Sequence, residues 1–161
     1  MVSIIVAIAQ NGTIGDKNSL LWHIKEDMRF FRTTTSGHAV VMGRKTFESL
    51  PKGALPNRRN VVLSRSLNAL PGAEVFADLN SALSTCSADE EVYIIGGASI
   101  YIQAMPMADR LCLTEIDDIA SNADVFFPEV SHEQWQEVWS ESHDIDEKHA
   151  YRYRFVDYIR K

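Results

Sequence analysis

The stretch Val92-Tyr93-Ile94-Ile95-Gly96-Gly97-Ala98-Ser99-Ile100-Tyr101 runs from an apolar, β-branched segment through paired glycines into a helix-compatible one. Apolar residues at successive positions suit a strand covered on both faces, and the glycines let backbone approach something closely before a helix begins. The transition recurs upstream, where Ala39 to Met42 is followed by Gly43 and the helix-compatible Arg44 to Leu50. Further apolar runs lie at Ile4 to Ala9, Asn60 to Leu63 and Arg110 to Thr114, with helix-compatible segments at His23 to Thr34, Leu79 to Cys86 and Ala98 to Met105. Strands alternating with helices predict an α/β domain with a mostly parallel central sheet. Gln134 to Glu141 and Tyr151 to Ile159 instead alternate apolar and polar residues across a polar connection, which predicts a hairpin closing one edge of the sheet.

A chain of 161 residues corresponds to one domain with room for a proper core. Its 16 Lys plus Arg against 22 Asp plus Glu, a net charge of -6, leave no electrostatic footprint for nucleic acid or an anionic membrane surface. Cys86 and Cys112 are isolated thiols that read as small core residues in a reducing compartment, so the cytoplasm is expected. Val2 to Ala9 lacks the basic leader of a secretory signal. No apolar stretch approaches the roughly 20 residues of a membrane-spanning helix.

With His23 to Thr34 on a helical wheel, Phe31, Ile24, Met28 and Phe30 all fall within about 100° of Asp27, while Lys25, Arg29 and Arg32 take the opposite side. A carboxylate on an apolar face must be desolvated, paired or used. Two readings stand. One is a first-turn acid favoured by the helix dipole or paired with Arg110 or Arg58. The other is a lone carboxylate with a raised pKa that grips an amidine-like heterocycle through two parallel hydrogen bonds.

Three strand-to-helix turns could hold phosphates: Gly43-Arg44-Lys45-Thr46, Leu63-Ser64-Arg65 and Gly96-Gly97-Ala98-Ser99. Each alone is compatible with an ordinary turn. Three at the carboxyl ends of successive strands form the place where open α/β sheets bind ligands. The usual Rossmann and P-loop glycine patterns are missing, which leaves a dinucleotide held by basic turns open. The five histidines show no metal-ligand spacing, so no metal site is expected.

These residues together resemble the dihydrofolate reductase family of the bacterial chromosomal type, almost end to end. The resemblance is carried by Ile4-Ile5-Val6-Ala7-Ile8-Ala9, by Gly12-Thr13-Ile14-Gly15 with Asn18 and Trp22, and by Glu26-Asp27-Met28 with Phe30-Phe31. It continues in Val41 to Ser49, Leu55-Pro56-Asn57-Arg58, Val62-Leu63-Ser64-Arg65, Ile94 to Tyr101, Leu113-Thr114 and Ala123 to Pro128. It implies a single domain over residues 1–161, an α/β fold whose mostly parallel central sheet has about eight strands, with an antiparallel C-terminal edge strand and about four flanking helices. It also implies NADPH-dependent reduction of dihydrofolate to tetrahydrofolate, by hydride transfer from nicotinamide C4 to pterin C6 with protonation at N5.

Under the resemblance, Asp27 grips the pterin, Thr114 braces its carboxylate and Trp22 holds an ordered water beside it. Ile5, Ala7, Met28, Phe31, Leu50, Leu55 and Ile95 line the substrate pocket, and Arg58 pairs with the glutamate α-carboxylate. Arg44, Ser64 and Arg65 lie near the adenosine 2′-phosphate, and Lys45, Thr46, Gly97, Ala98 and Ser99 hold the pyrophosphate. Ala7, Ile14, Gly43, Gly96, Ile100 and Tyr101 complete the cofactor site. Asn11 to Leu21 is expected to close over the cofactor, and the Gly96–Gly97 peptide is expected to be cis. Leu21, Asn57 and Ala123 depart from the family pattern without removing a chemical group. The implied partner is a small-molecule substrate bound by a monomer. The alternatives are a ribosylaminopyrimidine reductase of riboflavin synthesis on the same fold, and a folate or nucleotide binding module without turnover.

Overall fold

A computed structural model describes residues 1–15, 25–66, 68–118, 125–145, 147 and 151–161. In chain order the elements are β1 (Val2–Ala9), β2 (Thr13–Gly15), α1 (Lys25–Thr35), β3 (Ala39–Gly43), α2 (Arg44–Glu48), β4 (Arg59–Leu63) and β5 (Ala73–Phe76). They continue with α3 (Leu79–Leu83), β6 (Val92–Gly96), α4 (Ala98–Ala104), β7 (Arg110–Ile116), β8 (Val125–Phe126), β9 (Trp135–His143) and β10 (Tyr153–Arg160). Eight strands form one sheet in the order β5-β4-β3-β6-β1-β7-β10-β9, and β2 pairs with β8 in a small second sheet. The six strands from β5 to β7 are mutually parallel. The β9–β10 hairpin joins them antiparallel, with β10 against β7 and β9 outermost.

The central strands are apolar at successive positions because both sheet faces are covered. Ile4, Val41, Ile94 and Leu113 belong to one core cluster with Leu79 and Ala82 of α3 and Ile100 and Ala104 of α4. Their neighbours Ile5, Val40, Met42 and Cys112 belong to another, against which Phe30 and Phe31 of α1 pack. The outermost strand is different: β9 buries Trp135 and exposes most of the residues after it. Its charges, including Glu137 and Glu141, protect an edge that would otherwise offer unpaired backbone to another chain.

Helices α2, α3 and α4 are shorter than the helix-compatible segments of the sequence, whereas α1 runs one residue past Thr34. α2 stops at Glu48 rather than Leu50, with Ser49 as C-cap donating its backbone N–H to Lys45 and Thr46 carbonyls. α3 begins where Asp78 caps it, its carboxylate accepting from the Ser81 N–H at 2.7 Å, and ends at Leu83. Strand β5 and the β2–β8 pair are too short to show alternation in the sequence.

Candidate active site

The first turn of α1 carries Glu26 and Asp27. Asp27 turns toward the sheet, where the Thr114 hydroxyl on β7 donates to its Oδ1 at 2.6 Å. Thr114 is only 3% exposed and stands level with Ala7 of β1 on one side and Phe155 of β10 on the other. Burial pushes the Asp27 carboxyl above the usual carboxylate range, and the Thr114 hydrogen bond, which favours the anion, offsets part of that rise. The two structural partners considered for Asp27 are engaged elsewhere. Arg110 lies 3.7 Å from Asp157 on β10. Arg58 donates from Nε to the Pro56 carbonyl at 2.9 Å and from Nη1 to the Thr35 hydroxyl at 3.1 Å. Asp27 is thus a desolvated acid with a hydroxyl partner and no cationic one among the described residues.

Around it the apolar residues converge from several elements. Ile5 is 6% exposed, and Phe31, Leu50, Leu55 and Ile95 pack against the same cluster. Ala7 packs against Ile116, Tyr153 and Phe155. Phe30 stacks on Phe155 with ring centroids 4.3 Å apart, which wedges α1 against the hairpin. Met28, which the wheel puts on the apolar face, is 59% exposed and sits at the mouth of this surface, not in the core. Arg58 closes the far end, its guanidinium carbon 6.0 Å from the Phe31 ring centre. Burial and the nearby Arg32 cation lower its pKa.

Thr35 and Asn60 hold this corner, although no motif in the sequence singles them out. The Thr35 hydroxyl bonds the Phe31 carbonyl at 2.8 Å while accepting from Arg58. Asn60 accepts from the Leu55 N–H at 2.9 Å and donates to the Leu55 and Arg58 carbonyls at 2.9 and 3.0 Å. Neither residue has a sequence pattern that would mark it, since the contacts span up to 23 residues. Asn57, in the turn between them, has φ +58°, a conformation that Asn tolerates better than most side chains.

The strand-to-helix turns meet at the other end of the surface. Gly43 ends β3 and precedes α2, Gly97 follows β6 and precedes α4, and neither helix start has a side-chain cap. A Cβ at Gly43 would lie 3.4 Å from Ile100 Cγ1 and 4.0 Å from the Gly97 nitrogen. A Cβ at Gly96 or Gly97 would lie 3.5 Å from Thr46 Oγ1. Gly96 has φ +130°, and the Gly96–Gly97 peptide is cis. The buried Tyr101 hydroxyl donates to the Ile5 carbonyl at 3.1 Å, which joins this cradle to the floor of the Asp27 pocket.

Basic residues flank the cradle. Gly43 is level with Leu63, so Arg44 and Ser64 leave their strands side by side. Lys45, Arg65 and Ser99 are exposed, Ala98 is half-buried, and Arg44 lies 3.6 Å from Glu48. Ile14 on β2 packs against the α4 side of the sheet. Trp22, Asn18, Leu21, Ala123 and Asp124 lie outside the described residues, as does most of the Asn11 to Leu21 loop.

A family model described as dihydrofolate reductase matches residues 1–160. A dihydrofolate reductase of Neisseria meningitidis serogroup B is 45% identical over 160 residues, covering 99% of this chain and 98% of that protein. That of Bacillus subtilis is 41% identical over 162 aligned positions, covering 100% and 95%. Among solved structures, a dihydrofolate reductase from Enterococcus faecalis complexed with NADP(H) and RAB-propyl superposes with a TM-score of 0.90 at 31% identity, covering 100% of this chain and 96% of that one.

Proposed function

This chain belongs to the dihydrofolate reductase family, and from that premise we propose that Asp27, braced by Thr114, is the acid with which it reduces dihydrofolate to tetrahydrofolate using NADPH. The relatives support dihydrofolate as substrate and lend nothing to a ribosylaminopyrimidine. The single observation that carries the role of Asp27 is its position: a desolvated carboxyl on the apolar face of α1, with Oδ1 engaged by a hydroxyl. Oδ2 is then available to an N–H of an aminopyrimidine ring, and Oδ1 retains a second lone pair for another. Held this way, the pterin's 2-amino group and N3 face the acid, and Asp27 promotes protonation at N5 through water rather than by direct contact. Trp22 would position that water.

Ile5, Ala7, Met28, Phe31, Leu50, Leu55 and Ile95 would cover the pterin and aminobenzoyl rings and exclude water, which strengthens the field of the buried acid. Arg58, preset by Pro56 and Thr35, would pair with the substrate's glutamate α-carboxylate.

The residues on the other side fit a phosphorylated dinucleotide. Gly43, Gly96 and Gly97 leave a space that side chains would fill, and uncapped backbone N–H groups border it. Lys45, Thr46, Gly97, Ala98 and Ser99 would hold the pyrophosphate, while Arg44, Ser64 and Arg65 would surround an adenosine 2′-phosphate. Ala7, Ile14, Ile100 and Tyr101 would border the nicotinamide half. NADPH bound there supplies the hydride.

Among the described residues no helix is long and apolar enough to cross a membrane. We propose further that the chain acts in the cytoplasm as a monomer without nucleic acid. The net charge of -6 supports the last point, and its exposed large apolar residues, such as Met28, Ile102 and Phe126, come from separate elements.

The test is loss of NADPH absorbance on mixing purified protein with dihydrofolate, beside NADH and ribosylaminopyrimidine arms. Rapid, NADPH-preferring loss with dihydrofolate is expected. Asp27→Asn should keep the fold and lower turnover at neutral pH by about 100-fold or more; near-normal turnover in that variant would overturn the role given to Asp27.

A further inference from the structure

A cavity of about 460 Å³ lies beside the C-terminal ends of β1 and β7, and of the residues given above to substrate or cofactor it touches only Gly12, at the start of the loop expected to close over the cofactor. Thr114 faces Asp27, so its neighbours Leu113 and Glu115, which line the cavity, point to the opposite face of the sheet. The volume falls within the roughly 300–1,000 Å³ of small-molecule sites. Its base is apolar, built by Ile8, Leu113, Phe127 and Val130.

The formally charged residues of the rim are acidic, and His132, which also lines the cavity, is titratable. Glu115, Asp117 and Glu129 line the cavity, and neither Lys nor Arg is among its lining residues. Glu115 is ion-paired with Arg154, and Asp117 accepts a hydrogen bond from the Gln10 side chain. Glu129 is exposed and, among the described residues, makes no ion pair. The walls are themselves fastened: the Phe127 N–H donates to the Gly12 carbonyl at 2.8 Å, and the Gln10 N–H to the Asp118 carbonyl at 3.0 Å. The Phe127 ring also meets Tyr101 edge-on at 5.4 Å, so one wall of the cavity backs the residue that borders the glycine cradle.

We propose that this cavity is a second small-molecule site, taking a flat aromatic body that bears one positive charge, an aromatic amidine or amine, with its ring against Phe127 and Val130 and its cation at Glu129. An apolar base with an acidic rim matches such a ligand in both shape and charge. The site does not depend on which substrate Asp27 serves.

Benzamidine is the probe, its neutral counterpart benzamide the control, and the readout is amide chemical shifts of the full chain. Saturable shifts are expected at Gly12, Asp117, Glu129 and Val130, with a dissociation constant of about 1 mM. They should persist in Asp27→Asn, which removes the competing acid of the main pocket. Benzamide should bind at least about tenfold more weakly, and Glu129→Gln should weaken benzamidine about two- to fivefold while leaving dihydrofolate turnover unchanged. Shifts confined to Ile5, Phe31 and Thr114 that vanish in Asp27→Asn would overturn the proposal. So would equal binding of benzamide, or unchanged affinity in Glu129→Gln. Failure of the reductase reading would show instead as absent NADPH oxidation, with these shifts intact.

Discussion

At position 27 the anion of a carboxyl is penalised by burial, and one hydrogen bond from Thr114 returns part of that penalty. The two effects separate in a variant. Thr114→Val keeps the volume but removes the donor, so the Asp27 pKa rises further. The pH dependence of hydride transfer should shift toward higher pH by the same amount, with the rate below that pKa little changed; an unmoved profile would show that the bond does not act on the reacting acid. At the opposite end of the pocket, Arg58 is held by two bonds and lies over the Phe31 ring. Thr35→Val removes one of the two. KM for dihydrofolate should rise about fivefold, the worth of one modest hydrogen bond, with kcat unchanged. A dihydropterin substrate lacking the glutamate should show no change, which a general loosening of α1 would not reproduce.

Elements decide where these side chains meet. The turns after β3 and β6 face each other because Val41 and Ile94 are level in the sheet, so Gly43 and Gly97 end up 4.0 Å apart as measured from a Cβ built on the former. Gly43 has φ -78° and ψ 165°, which any residue can adopt. Gly43→Ala should therefore fold normally, while its methyl group fills the cradle. The expected result is a KM for NADPH raised about tenfold, in line with the cost of forcing a methyl into a fitted space, and little change in dihydrofolate affinity. Equal effects on both ligands would place the cradle elsewhere. The turns after β3 and β6 were legible in the sequence as strand, glycine and helix in succession, whereas Leu63-Ser64-Arg65 has no glycine and leads from β4 to strand β5, not to a helix. That they converge was not, because register between β3, β4 and β6 is set by pairing across the sheet and not by neighbours in the chain.

The whole molecule carries the burial of Asp27 as a stability term. In the unfolded chain a free aspartyl titrates near about 3.9, and in the folded protein it titrates higher. The folded state therefore binds the proton more tightly. This contribution is fully present below the unfolded value and lost as pH rises to the folded one, above which the loss is constant. Each pH unit by which the pKa is raised costs about 1.4 kcal/mol at neutral pH. Asp27→Asn should then raise the melting temperature at pH 7 by about 2–4 °C per kcal/mol while it lowers turnover. The gain should shrink toward pH 4 or below, where wild-type Asp27 is also neutral. A variant no more stable than wild type at pH 7 would mean that the carboxylate is better solvated than its burial indicates.

The sequence by itself determined the class of fold, the places where ligands approach and the oddity of one acid. Period and composition are local properties: each apolar run between Ile4 and Thr114, each glycine turn at 43 and at 96 and 97, and Asp27 amid Phe30 and Phe31 is visible within its own short window of sequence. The residue pattern left the partners of Asp27 open, Thr114 being named only by the family resemblance, and the tertiary structure decided among them. It gave Asp27 to Thr114, 87 residues away, and not to Arg58 or Arg110. It buried Trp135 on β9 in the core cluster with Tyr158 while leaving Trp139 on the same strand 43% exposed against Phe30 of α1, because a register shift between β9 and β10 separates the two. Hydrogen bonds and burial of this kind depend on which strands adjoin, and strand order is a property of the packed sheet that no short window of sequence contains.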